Sequence, residues 1–137
     1  GLSKVLVLGE DWCPDVYRGM PVISVISDVS GMEMRVFPRD QNLDIMDEFL
    51  KDGQHRSIPV AVFYTDDMSY ACHWIERPAL ATEEMKDIDE ALAKELAGKD
   101  EQIVRDVRRE RINSRFSDWQ RATISEIKQL LTQTMNK

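Results

Sequence analysis

The chain is predicted to fold as an α/β domain: a small mixed sheet with helices on both faces, in the order βαβαββα, followed by extra helices. Three observations predict this. Lys4–Leu8, Met32–Phe37 and Pro59–Thr65 are short apolar or alternating runs with the residue types of strands. The segments between them carry apolar residues at helical spacing. Everything after Pro78 is helical in pattern.

Lys4-Val-Leu-Val-Leu8 is continuous and closed by Gly9, the pattern of a strand buried on both faces. Cys13 to about Val29 reads as a helix, with Met20, Ile23, Ile26 and Val29 on its inner side, Pro21 inside it as an expected kink, and Gly31 as the stop. Met32–Phe37 alternates as a second strand, and Pro38–Asn42 is a loop. Leu43 to about Leu50 reads as a short amphipathic helix ending near Gly53. Pro59 is tolerated only at a strand start or an edge. Asp66-Asp67 is turn material, so Tyr70–Ile75 returns as the hairpin partner of Pro59–Thr65. Met85, Ile88, Leu92 and Leu96 then form a helical stripe broken at Gly98. A second stripe runs from Val104 through Ile112, Phe116, Trp119 and Ile127 to Leu131, interrupted at Asn113-Ser114 or Ser117-Asp118. Residues 1–98 are expected to form the sheet domain, and residues 99–137 a helical extension packed on it.

The chain has 137 residues, 42% apolar and 31% charged, which suffices for one domain with a core. Its net charge of −7 is uneven. Residues 1–98 carry 9 basic against 19 acidic side chains, and residues 99–137 carry 9 against 6. The acidic body argues against nucleic acid as a partner. The arginines at 105, 108, 109, 111 and 115 lack interleaved aromatics and are mixed with acids, the pattern of a charged helix surface. No apolar run is long enough to span a bilayer. No secretory leader is visible, and Cys13 and Cys72 are too few for a disulfide scaffold, so a cytoplasmic, reducing compartment is expected. His55 and His73 are too separated to suggest a metal site.

Four short stretches carry a resemblance. Glu10-Asp11-Trp12-Cys13-Pro14-Asp15 resembles the thioredoxin active-site stretch. Pro21 matches the helix-kinking proline of that family. Asp40-Gln41-Asn42 resembles a triplet in the loop after the next strand. Ile58-Pro59 resembles the motif whose proline is cis. The resemblance covers roughly residues 4–97 and implies a thioredoxin-like fold. The Glu-Asp-Trp-Cys stretch with Arg77-Pro78 is more similar to a bacterial thioredoxin-family branch with a helical C-terminus. There are departures. The second active-site cysteine is replaced by Val16, and the buried acid that assists it by Val7. The usual first strand is missing, so the sheet is either one strand short or borrows an edge from a partner, as in a homodimer.

The resemblance makes Cys13 the reacting group. A cysteine at a helix N-terminus meets the positive end of the helix dipole and unpaired N–H groups, which favour the thiolate. Pro14 suits the first turn. Asp11 and Asp15 oppose a further negative charge, and Arg18, one turn on, partly offsets them. Val16 cannot resolve a mixed disulfide. Cys72 is expected about 10 Å up its strand, at about 3.3 Å per residue, and disulfide geometry needs Cα atoms within about 7 Å. An external thiol, with glutathione a candidate, would have to finish the exchange. No other cofactor is implied. The groove at Ile58 and Pro59, walled by Trp12 and Ile75, could receive an extended peptide. Three functions therefore compete: a monothiol thiol–disulfide oxidoreductase acting on protein or small-thiol disulfides, a non-catalytic thioredoxin-fold module that binds peptides, and a structural partner subunit, which the missing first strand and the long C-terminal helices suggest.

Overall fold

The computed structural model describes residues 1–137. The predicted order is observed: β1 (Leu2–Gly9), α1 (Pro14–Val29), β2 (Glu33–Pro38), α2 (Leu43–Met46), β3 (Val60–Thr65), β4 (Tyr70–Ile75), α3 (Ala79–Glu95), α4 (Glu101–Ser114) and α5 (Phe116–Met135). The strands lie in the order β2-β1-β3-β4. β1 runs parallel to β2 and antiparallel to β3, and β3 is antiparallel to β4. The register pairs Gly9 with Pro38, Leu8 with Val60, and Val60 with Ile75. The end of β1, the end of β2, the start of β3 and the end of β4 therefore meet at one edge. Cys13, Asp40, Pro59 and Glu76 all come from the connections there.

Side chains alternate across the sheet. One face presents Val5, Val7, Ala61, Phe63, Cys72 and Trp74 to Ile23 of α1 and to Ile127 and Leu131 of α5. The other presents Leu8, Val60 and Val62 to Val16, Met46 and Ile58. The last helix is thus part of the main core, and burying Ile127 alone is worth about 1.5–3 kcal/mol. A smaller cluster of Ala81, Ile112 and Trp119 joins α3, α4 and α5. The arginines of the extension are spent on ion pairs within the fold: Arg108 with Asp89, Arg111 with Glu95, and Arg115 with Glu84.

Three details differ from what the sequence predicts. Val29 does not face inward but is 83% exposed. Steps of three residues fall about 60° short of a helical turn, so the stripe Met20, Ile23, Ile26, Val29 winds around α1. The buried set is Val16, Gly19, Val22, Ile23 and Ser27. The helix expected over Leu43–Leu50 stops at Met46. Beyond it the chain continues in tight turns, with Glu48 N–H on Ile45 O and Phe49 N–H on Met46 O, and Asp47 is drawn to Arg56. A 3-10 turn at Arg39–Gln41 precedes α2, where a loop was expected.

Candidate functional site

Cys13 caps α1. Its backbone is extended, with φ −82° and ψ 123°, and Pro14 follows as the first helical residue. The Cys13 carbonyl accepts the N–H of Val16 at 3.0 Å and of Tyr17 at 3.1 Å. The side chain is half-buried against the cluster of Leu8, Val16 and Ile58. Its Sγ lies 3.9 Å from the Ile58 carbonyl oxygen, a long and weak contact. The Ile58–Pro59 peptide is cis. Ile58 and Pro59 are buried, and Ile75 is half-buried in the same cluster. Gly19 brings α1 close to Pro59, since a Cβ on it would stand 3.4 Å from Pro59 Cγ. Cys13, Ile58, Pro59 and Ile75 are therefore gathered at one place.

Trp12 is 61% exposed, and the Arg39 guanidinium sits 5.4 Å from its ring centroid. Arg39 also donates to the Arg56 carbonyl at 3.1 Å. Glu10 accepts the N–H of Asp40 at 2.9 Å, which ties the loop after β2 to the turn before Cys13. Pro14 and Asp11 are exposed.

Asp15 and Arg18 face a different set of groups. Asp15 accepts Arg77 at 2.8 Å and Arg18 at 3.4 Å. Burial pushes the Asp15 carboxyl up, against the pull of both guanidiniums. Arg18 lies between the rings of Tyr17 and Trp119, 6.0 and 5.7 Å from their centroids. Asp15 is thus shared between Arg18 and Arg77. Arg77 also reaches Glu76, and Glu76 in turn holds Lys51. Burial works against the Glu76 carboxylate, but hydrogen bonds from Lys51 and Ser57 and the charge of Arg77 outweigh it and hold the carboxyl below its usual range.

Cys72 is buried within the face that packs on α5, whereas Cys13 belongs to the cluster on the opposite face. Burial pushes the Cys72 thiol up. Val16 and Val7 are buried and apolar, so neither offers a resolving thiol or an acid to assist one. No group of three or more His, Cys, Asp or Glu side chains is placed to hold a metal. An apolar groove of about 640 Å³ runs between α1 and α5 beside Val25, Val29, Ile124 and Met135, and none of the candidate site residues lines it.

Sequence reading missed Arg39, Lys51 and Glu76. Arg39 had a signal, since it opens the loop that carries Asp40. Lys51 and Glu76 had none, because they meet across 25 positions of the chain.

A four-stranded mixed sheet, with a cysteine capping the helix after β1 and facing the segment before β3, defines the thioredoxin-like class. A thioredoxin family profile matches residues 2–94, and the chain belongs to that family. Among curated proteins none matches. Among solved structures, the chain is similar to a protein of unknown function from Pseudomonas aeruginosa, with a TM-score of 0.61 and 15% identity over 94% of this chain. It spans 64% of the length of that neighbour. It is also similar to an HIV epitope scaffold, with a TM-score of 0.50 and 18% identity, over 58% of this chain and 48% of the other. At these identities the likenesses carry the fold alone.

Proposed function

We propose that the protein is a single-thiol member of its family, exchanging disulfides of proteins or small thiols through Cys13 in a reducing compartment such as the cytoplasm. The observation that carries this reading is the position of Sγ, at the N-terminus of α1 and 3.9 Å from the Ile58 carbonyl, while the other thiol lies across the sheet. In the first step the Cys13 thiolate attacks one sulfur of a substrate disulfide. The Cys13 mixed disulfide forms and the second substrate sulfur leaves as a thiolate. In the second step an external thiolate, glutathione being the plainest candidate, attacks the substrate sulfur of that adduct. Cys13 is regenerated, and substrate and external thiol leave joined. One disulfide is consumed and one formed, so no other oxidant or reductant enters.

Exposure of Trp12 beside the thiol favours a second reading, in which the groove binds an extended peptide and Cys13 performs no chemistry. Incubation with oxidised glutathione separates the two. The monothiol reading expects a glutathione adduct in the intact mass, mapped to Cys13, removed by added reduced glutathione and absent from Cys13→Ser. An unmodified wild-type protein under the same conditions would leave the binding reading standing.

A further inference from the structure

Glu76 departs from what its position asks. Its φ is +74°, the left-handed region that a residue with a Cβ disfavours. Two other non-glycine residues have positive φ, Asp52 and Met68, and both lie in exposed turns. Glu76 instead directly follows β4 at the site edge, with its side chain 15% exposed. Its backbone N–H donates to the Pro59 carbonyl at 2.7 Å. Its carboxylate accepts the Lys51 ammonium and lies 3.4 Å from the Arg77 guanidinium. Arg77 donates at 2.8 Å to Asp15, in the first turn of the helix that Cys13 caps.

These contacts form one path. Pro59 hangs on the Glu76 backbone, the Glu76 carboxylate holds Arg77, and Arg77 holds α1 two residues beyond Cys13. A glycine would satisfy the backbone without strain, but it would leave Lys51 and Arg77 without their carboxylate. We infer that Glu76 is the positioning residue of the site: it straps the Ile58–Pro59 segment to the first turn of α1 and so fixes where an incoming peptide lies relative to Cys13 Sγ. This rests on the reading that a substrate lies between Cys13 and Ile58–Pro59.

The test compares Glu76→Gln and Glu76→Gly with wild type. Backbone amide spectra read the strap without any substrate. Both variants should shift the amides of Ser57 and Ile58 on one side and of Asp15 and Val16 on the other. Shifts confined to residues 75–78 would overturn the proposal, whatever the activity. Chemistry is read with two probes. Iodoacetamide needs only an accessible sulfur. A decapeptide whose cysteine is held as a mixed disulfide with thionitrobenzoate needs to be aligned, and it releases the coloured thiolate on attack. Both variants should lose about tenfold or more with the peptide while the iodoacetamide rate stays within about twofold, since misplacing a reacting partner by an ångström costs rates of that order. A Glu76→Gly variant that matches wild type with the peptide would show that the residue is strained and nothing more. Equal loss with both probes would assign it a general structural role and sink the proposal. A wild-type protein inert to the peptide disulfide would instead count against the monothiol reading, and the amide shifts would still decide the strap.

Discussion

Glu126 on α5 receives the indole N–H of Trp74 at 3.0 Å on one carboxylate oxygen and the backbone N–H of Ala79 at 2.7 Å on the other. One side chain thus satisfies a buried indole on β4 and caps the first turn of α3, which has no capping side chain of its own. Trp119 repeats the device, donating at 2.7 Å to Glu84, which also takes Arg115. Glu126→Ala should lower stability by about 2 kcal/mol, the cost of an orphaned donor plus a lost cap, and Glu126→Gln by less, since an amide oxygen can keep one of the two bonds. Urea unfolding measures both. A Glu126→Ala variant as stable as wild type would mean that the carboxylate's hydrogen bonds contribute little.

Because α5 fills the main core with Ile127 and Leu131, removing residues 99–137 should abolish cooperative folding. The face of β1 and β3 that bears Val5, Val7 and Phe63 would keep only α1 as cover and expose the part that α5 fills. Circular dichroism and thermal melting of a chain ending at Gly98 check this. A sharp melt from that shortened chain would show that the family-matched part stands alone.

How much of this was legible beforehand follows from the range over which sequence patterns speak. β1, the β3–β4 hairpin and the helix start at Cys13 are local: an apolar run, a turn at Asp66-Asp67, and Pro14 after a residue that can cap. The candidate site was legible as far as Cys13 and Pro59, because each sits in its own short motif. The strap between them was not. Glu76 meets Lys51 and Arg77 meets Asp15 through the sheet register, which no single segment encodes. The same holds for α5. Its apolar stripe announced a buried face, but only the Trp74–Glu126 bond and the core cluster reveal that the sheet buries it. α2 failed for a different reason. Its pattern continues to Phe49, but Asp47 is drawn to Arg56 and the chain closes into tight turns.

The two thiols should differ sharply toward alkylation. Cys13 is half-buried at a helix start, whereas Cys72 is closed in by the core and burial pushes its thiol up, which lowers its thiolate fraction. At pH 8 the native protein should take up a single iodoacetamide label, on Cys13, and the denatured protein should label both cysteines. Cys13→Ser should remove native labelling and Cys72→Ser should leave it intact. Rapid native labelling of Cys72 would place that thiol in an open, fluctuating region.

Val16→Cys should convert the site from one thiol to a pair. Positions 13 and 16 are one helical turn apart, and the Val16 N–H is bonded to the Cys13 carbonyl. Valine to cysteine in this buried position removes little volume, so the variant should fold with a loss of about 1 kcal/mol. If the surrounding groove is intact, its dithiothreitol-driven reduction of insulin should run faster than that of wild type, because the second thiol resolves the mixed disulfide without an external one. A variant that folds, forms the 13–16 disulfide and still stays inert would point to the peptide-binding reading.

Stability should respond to acid through Glu76 in a definite direction. Lys51, Ser57 and Arg77 hold its carboxyl below the ordinary glutamate value of 4.5. As pH falls, the unfolded chain therefore takes up this proton before the folded one does. The contribution of Glu76 is complete above 4.5 and disappears as pH drops through the lower, folded value. Asp15 works oppositely. Burial raises its carboxyl above the ordinary 3.8, so its ionisation weakens the fold as pH rises through the raised value. Comparing wild type with Glu76→Gln cancels the part of the Asp15 contribution that comes from burial and from Arg18, and leaves the smaller upward push that the Glu76 charge gives Asp15. The wild type should exceed the variant by about 1–2 kcal/mol at pH 7, the worth of half-buried charge-assisted bonds, and the gap should close toward pH 3. Urea unfolding at the two pH values measures it. A gap that stays constant would mean that Glu76 stabilises the fold through packing alone and that its bond to Lys51 is energetically idle.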